Sequence, residues 1–148
     1  MTPDTLAALH GAAFTHERPW SAQEFVDLLA NPHTHLNTVP HGFALWRGIA
    51  AEAELLTIAV DPAHQGQGIA TKLMTAWMSE AARTCTSAFL EVASDNANAI
   101  ALYAHQGFEI IATRPDYYHR PDSRADALIM RAALPLSVLK KSSGGLRP

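Results

Sequence analysis

Two glycines separated by one residue carry the clearest chemical signal in this chain. They lie in Gln65-Gly66-Gln67-Gly68-Ile69-Ala70-Thr71, between an apolar run that ends at Asp61-Pro62 and the start of a helical pattern. A helix N-terminus exposes unpaired N–H groups and the positive end of its dipole, so it favours a phosphate. Glycine lets the backbone come close to such a ligand. Gly66-Gln67-Gly68 begins like the dinucleotide fingerprint G-x-G-x-x-G, and Glu91 follows about 20 residues on. However, Thr71 stands where the third glycine belongs, and residues 61–65 make a long junction where that fingerprint needs a tight turn. A nucleoside triphosphate loop needs Gly-Lys followed by Ser or Thr, whereas Lys72 here follows Thr71. A glycine-rich helix start that binds nothing stays open on this loop alone.

Other residues could move protons. Glu91 sits between Leu90 and Val92, and alternation puts it on the same side of its strand as Phe89. A partly buried carboxylate suited to proton transfer and a glutamate on the solvent face of a sheet are evenly balanced there. Tyr103 shares a helix face with Ile100 and Asn96. It is either a proton donor or an ordinary core tyrosine. Tyr117 and Tyr118, with Pro115 and Pro121 around them, fit a loop whose rings wall a channel or cap the core. Among eight histidines, His33 and His35 have no Cys or carboxylate at metal-ligand spacing, so they read as loop residues and no metal is expected. Cys85, between two threonines and without a neighbouring His, reads as a structural thiol.

These groups need elements to hold them. Residues 5–14 suit a first helix. Ser21-Ala22-Gln23-Glu24 is a capping box with Trp20 and Phe25 at the staple positions, so a second helix starts there and stops before Asn31-Pro32. Residues 42–49 and 52–60 read as a hairpin of two strands. Ile69, Leu73, Ala76 and Trp77 recur near helical spacing and predict a helix over residues 68–83. A strand over 88–93, a helix over 96–105 stopped at Gly107, and strands over 108–113 and 126–131 complete the pattern. Strand–helix–strand crossovers require parallel pairing and hairpins require antiparallel pairing, so the sheet is mixed and the class is α/β or α+β.

Composition narrows the function classes. A chain of 148 residues, 48% hydrophobic and 17% charged, suits one domain with a real core. That domain should occupy residues 1–134. Residues 135–148 are polar, glycine-rich and end in proline, and read as a flexible C-terminal tail. A net charge of -3 without a basic stripe disfavours nucleic acid as a partner. The single cysteine fits a reducing cytoplasm. The first residues do not read as a signal peptide, and no apolar run nears the roughly 20 residues that span a bilayer, so a cytoplasmic protein with no membrane partner is expected.

From Trp20 to Ala133 the chain resembles the GNAT acetyltransferase superfamily, and within it the bacterial enzymes that acetylate the N-terminal alanine of a small-subunit ribosomal protein. Five segments carry the likeness in order: Pro19-Trp20-Ser21; residues 55–62; the loop 65–70; Leu90-Glu91-Val92 with residues 96–103 and Gly107-Phe108; and Arg114 with Tyr117-Tyr118. The loop fits the superfamily's pyrophosphate pattern Gln/Arg-x-x-Gly-x-Gly/Ala through Gln65, Gly68 and Ala70. The resemblance implies a mixed, mostly antiparallel sheet whose two central parallel strands splay apart, with flanking helices. It implies acetyl-CoA as cosubstrate and no metal. Main chain of Ile58, Ala59 and Val60 would hold the acetyl and pantetheine arm. Gln65, Gly66, Gln67, Gly68, Ile69, Ala70 and Thr71 would hold the pyrophosphate, and Asn96 would touch the cosubstrate too. Glu91 would be the general base and Tyr103 the general acid. Trp20, Tyr117 and Tyr118 would meet the acceptor, a protein or peptide N-terminus such as that of a ribosomal protein. Thr71 departs from close relatives, which often carry a basic residue there. A lysine or small amine as acceptor, and a non-catalytic acyl-CoA-binding module, are the competing readings.

Overall fold

The computed structural model describes residues 1–15 and 17–134. The expected tail over residues 135–148 lies outside the described residues. Four helices, α1 (Pro3–Ala13), α2 (Ala22–Ala30), α3 (Ile69–Ala81) and α4 (Ala97–His105), flank six strands. The strands are β1 (Thr34–Val39), β2 (Gly42–Ile49), β3 (Glu52–Val60), β4 (Ser87–Ala93), β5 (Glu109–His119) and β6 (Arg124–Ala133). They form one mixed sheet in the order β1-β2-β3-β4-β6-β5. Every pairing is antiparallel except that of β3 with β4.

Local chemistry accounts for the helix starts. Thr2 caps α1 by accepting the Thr5 N–H at 3.2 Å, with Pro3 in the first turn where a missing N–H costs nothing. Ser21 Oγ accepts the Glu24 N–H at 3.2 Å, and Glu24 Oε1 accepts the Ser21 N–H at 3.0 Å, completing the capping box. The staple closes with the Trp20 and Phe25 rings 5.6 Å apart. Alternation along β2 divides the core between the two faces of the sheet. Phe43 and Leu45 join Leu6 and Phe25 under α1 and α2, while Ala44 and Trp46 join Leu73, Met74 and Trp77 of α3. No helix among the described residues is long and apolar enough to cross a membrane.

Two elements differ from the sequence reading. β1 was not expected, and His35, read as a loop residue, lies within it with its ring stacked 4.3 Å from that of Trp46. The segment Thr-His-Leu-Asn-Thr-Val is short, polar and half-exposed. What makes it a strand is pairing with β2 along its whole length and the bond from Trp46 Nε1 to Asn37 Oδ1 at 2.9 Å, neither of which leaves a periodic signal. The second difference is that Tyr117 and Tyr118 stand in β5 rather than in a loop. β5 is the outer strand, so Pro115 forfeits no ladder bond on its free side, and the register slips between Arg114 and Tyr118 around Asp116, whose φ is 52°.

His10 is another histidine outside any loop. It is buried in α1, stacks on Phe14 at 4.3 Å and Trp20 at 4.9 Å, and its Nδ1 accepts the Trp20 N–H at 3.2 Å. Burial pushes its pKa down from 6.5 to about 4, opposed by nearby Glu24. As pH falls through that interval, the unfolded chain takes up the proton and the folded one resists it, so the native state loses stability. Thermal melts between pH 6.5 and 4 are therefore expected to show a falling Tm. His10→Gln should be less stable near neutrality but show a flatter slope over the same interval, and parallel slopes would contradict this.

Candidate functional site

The sheet comes apart at its centre. β3 and β4 pair only at Glu52↔Ser87, Ala53↔Ala88 and Glu54↔Phe89. Beyond these pairs, β3 stays bonded to β2 as far as Val60↔Gly42, and β4 stays bonded to β6 as far as Ala93↔Ala127. The edges that β3 and β4 turn toward each other therefore carry main-chain groups without a strand partner. The divergence begins where Leu56 is extra in the β2–β3 ladder, which steps from Leu45↔Thr57 to Trp46↔Leu55. Such a bulge bends and twists its strand. The wedge opens into a cleft of about 1040 Å³, bordered by residues 55–60 of β3 and 90–93 of β4.

At one end of the cleft lies the glycine loop. Gly66 and Gly68 hold left-handed φ values of 79° and 78°, and a Cβ on either would meet nothing within 4 Å. Gly68 is also the N-cap of α3, and no side chain caps that helix. The first-turn N–H groups are left for a ligand in the cleft, which Gly68, Ile69, Ala70 and Thr71 border. Gln65 Nε2 reaches back to the Val60 carbonyl at 3.4 Å. Asn96, by contrast, caps α4 by accepting the Ala99 N–H through Oδ1 at 3.3 Å, which leaves its amide N–H groups for the cleft. Ile58, Ala59, Val60, Gln65 and Gly66 border the same space, but Gln67 does not.

Glu91 on β4 and Tyr103 on α4 both border this cleft. The Glu91 side chain is 29% exposed, with Arg114 Nη1 3.5 Å from Oε1. Tyr103 is almost wholly buried, and burial, with a smaller push from Tyr118, raises its pKa well above the usual value. Its hydroxyl therefore keeps its proton across the neutral range. Tyr118 is half-buried on the cleft wall, and its pKa is pushed up to about 12, first by burial and then by the Glu91 and Glu17 carboxylates. Tyr117 points elsewhere. It is 47% exposed, does not line the cleft, and lies beneath the Arg114 guanidinium. Trp20 borders the cleft while also serving as the staple of α2.

The sequence reading missed Arg120. Its side chain is 9% exposed, and its guanidinium bonds Glu17 at 2.6 Å and also the Asp95 carboxylate. All three residues border the cleft, so this one side chain ties the α1–α2 connection, the β4–α4 turn and the β5–β6 hairpin together. Glu17 and Arg120 are 103 positions apart, and no local pattern links them.

Comparison with known proteins agrees with this architecture. The acetyltransferase (GNAT) family model matches residues 7–108. The chain is 37% identical over 142 residues to the ribosomal protein bS18-alanine N-acetyltransferase of Escherichia coli K12, covering 93% of this chain and 95% of that protein. It is also 37% identical over 134 residues to the N-alpha-acetyltransferase RimI of Mycobacterium tuberculosis, covering 84% and 82%. The crystal structure of the E. coli ribosomal-protein-S18-alanine N-acetyltransferase superposes with a TM-score of 0.77 at 32% identity, over 86% of this chain and 84% of that one. A family match over most of the domain, two relatives of nearly full length and a shared fold lead to one conclusion: the chain belongs to the GNAT family and is an acetyltransferase.

Proposed function

We propose that this enzyme transfers the acetyl group of acetyl-CoA to the N-terminal α-amine of a protein that begins with alanine, a ribosomal protein being the expected partner. The observation that carries the reading is the wedge between β3 and β4, an extended slot with unpaired main chain on both walls and a glycine-lined helix start at one end. An acyl donor with a long amide-bearing arm and a pyrophosphate matches both features. Main chain of Ile58, Ala59 and Val60 would bond the arm, and residues 65–71 with Asn96 would hold the pyrophosphate end. The α-amine as acceptor draws its support from the likeness to proteins named for acetylating an N-terminal alanine. Trp20 and Tyr118 on the cleft wall would meet the incoming chain. The net charge of -3 favours a basic partner.

The chemistry needs two proton movements. An ammonium has no lone pair, so Glu91 takes a proton from the acceptor, directly or through water. The free amine attacks the thioester carbonyl, the C–N bond forms and the C–S bond breaks. The departing sulfur takes a proton from the Tyr103 hydroxyl, which burial keeps protonated until it is needed. Tyr103 then recovers a proton from the solvent, and Glu91 releases its own.

Three outcomes are expected. Gly68→Glu puts bulk and negative charge at the helix start, so acetyl-CoA should no longer raise the Tm as a native-state ligand does. An undiminished thermal shift would remove the loop from the site. Glu91→Gln and Tyr103→Phe should each lower kcat by about 100- to 10,000-fold with little change in acetyl-CoA affinity, and wild-type turnover in both would undo the assigned roles. The third outcome concerns the acceptor. An α-amine has a pKa near 8 and a lysine amine about 10.4, so at neutral pH far more α-amine is ready to attack. A peptide beginning with alanine and containing an internal lysine should gain one acetyl, located at its N-terminus by mass spectrometry. Label found on the lysine alone, or on a polyamine control alone, would reassign the acceptor.

A further inference from the structure

One cluster of side chains lies apart from the residues assigned to acetyl transfer, with His64 at the border of the cleft and His41 and Asp61 beyond its lining. His41, Asp61 and His64 bring three potential ligand atoms within 4.8 Å of one another. His41 occupies the β1–β2 turn, Asp61 caps the 3-10 turn Pro62–His64 that follows β3, and His64 is the last residue of that turn. The two segments are fastened together. Gly42 pairs with Val60, and the Asp61 N–H donates to the His41 carbonyl at 2.8 Å. The imidazoles lie face to face, 3.5 Å apart and 5° from parallel.

We propose that His41, Asp61 and His64 form a binding site for a divalent first-row transition ion of the zinc class. The donor set is the first reason. Two imidazole nitrogens and one carboxylate oxygen match Zn²⁺ and its neighbours, whereas Mg²⁺ and Ca²⁺ prefer oxygen alone. A second, independent reason is His64 Nδ1. It is buried and finds no hydrogen-bond partner among the described residues, and Asp61 Oδ2 stands 3.6 Å away. That gap is long for a hydrogen bond but natural for two ligands of one ion, since bonds of about 2.0–2.2 Å set tetrahedral donors a little over 3 Å apart. The other Asp61 oxygen accepts the Ala63 N–H at 3.0 Å, which fixes the carboxylate as outer-shell bonds do in metal centres. His41 is exposed and holds a φ of 69°, a backbone conformation that a side chain other than glycine adopts only at a cost. The parallel rings keep their in-plane lone pairs from converging, so ion binding requires the exposed His41 imidazole to rotate out of the stack toward the His64 and Asp61 donors.

Isothermal titration of the full chain with Zn²⁺ tests the site, with Mg²⁺ as the comparison ion and circular dichroism to verify that each variant folds. One equivalent of Zn²⁺ should bind and Mg²⁺ should not. His41→Gln and His64→Gln should each weaken Zn²⁺ by more than about tenfold. His105→Gln, at the end of α4, should leave the titration unchanged. No saturable binding of Zn²⁺, or binding that both cluster variants leave intact, would overturn the proposal.

Discussion

The structure depends on a ladder that stops. β3 and β4 share three register pairs and then part, although each remains bonded to its outer neighbour. Parallel strands in the middle of a sheet normally complete each other's hydrogen bonds, and buried main-chain groups left without partners are costly. Here the extra residue at Leu56 twists β3 away, and the cost is confined to one opening lined on both sides by peptide groups. The two cores, one under α1 and α2 and the other under α3 and α4, hold the strands in this separated arrangement.

The groups around the opening differ in how tightly they are held, in keeping with the roles proposed for them. Tyr103 is packed against Phe108 and buried, so its phenol stays protonated, as the proposed acid role requires. Glu91 is more open, with a cation beside it and access to the cleft, as a group that must exchange protons with an acceptor requires. The glycine loop contributes no side-chain charge. Its contribution would come from N–H groups and the dipole of α3.

At the border of the cleft, Arg120 joins three connections that are distant in sequence. Isolated surface ion pairs contribute little, but a shielded guanidinium shared by two carboxylates keeps them in a fixed relation. Tyr118 lies 6.0 Å from the same guanidinium, so the wall expected to meet the acceptor is braced by it.

The sequence by itself determined what local chemistry can specify. The capping box at Ser21, the strand-forming runs of β2 and β3, the helix after Gly68 and the stop at Gly107 all appear where their residues predict them, because each signal lies within a few positions of its effect. The likeness over residues 20–133 also reached the family and the splayed sheet. What only the tertiary structure decided depends on partners far along the chain. β1 is a strand because β2 pairs with it, and β5 runs past Pro115 because it is an outer strand. Tyr117 turns away while Tyr118 borders the cleft, because β5 extends through both and neighbouring strand residues face opposite sides. His10, Arg120 and the His41–Asp61–His64 cluster acquire their surroundings from segments that folding alone brings together. Spacing along one chain specifies faces and ends of elements, but burial, charge partners and ligand sets arise between elements and exist only once those elements are packed.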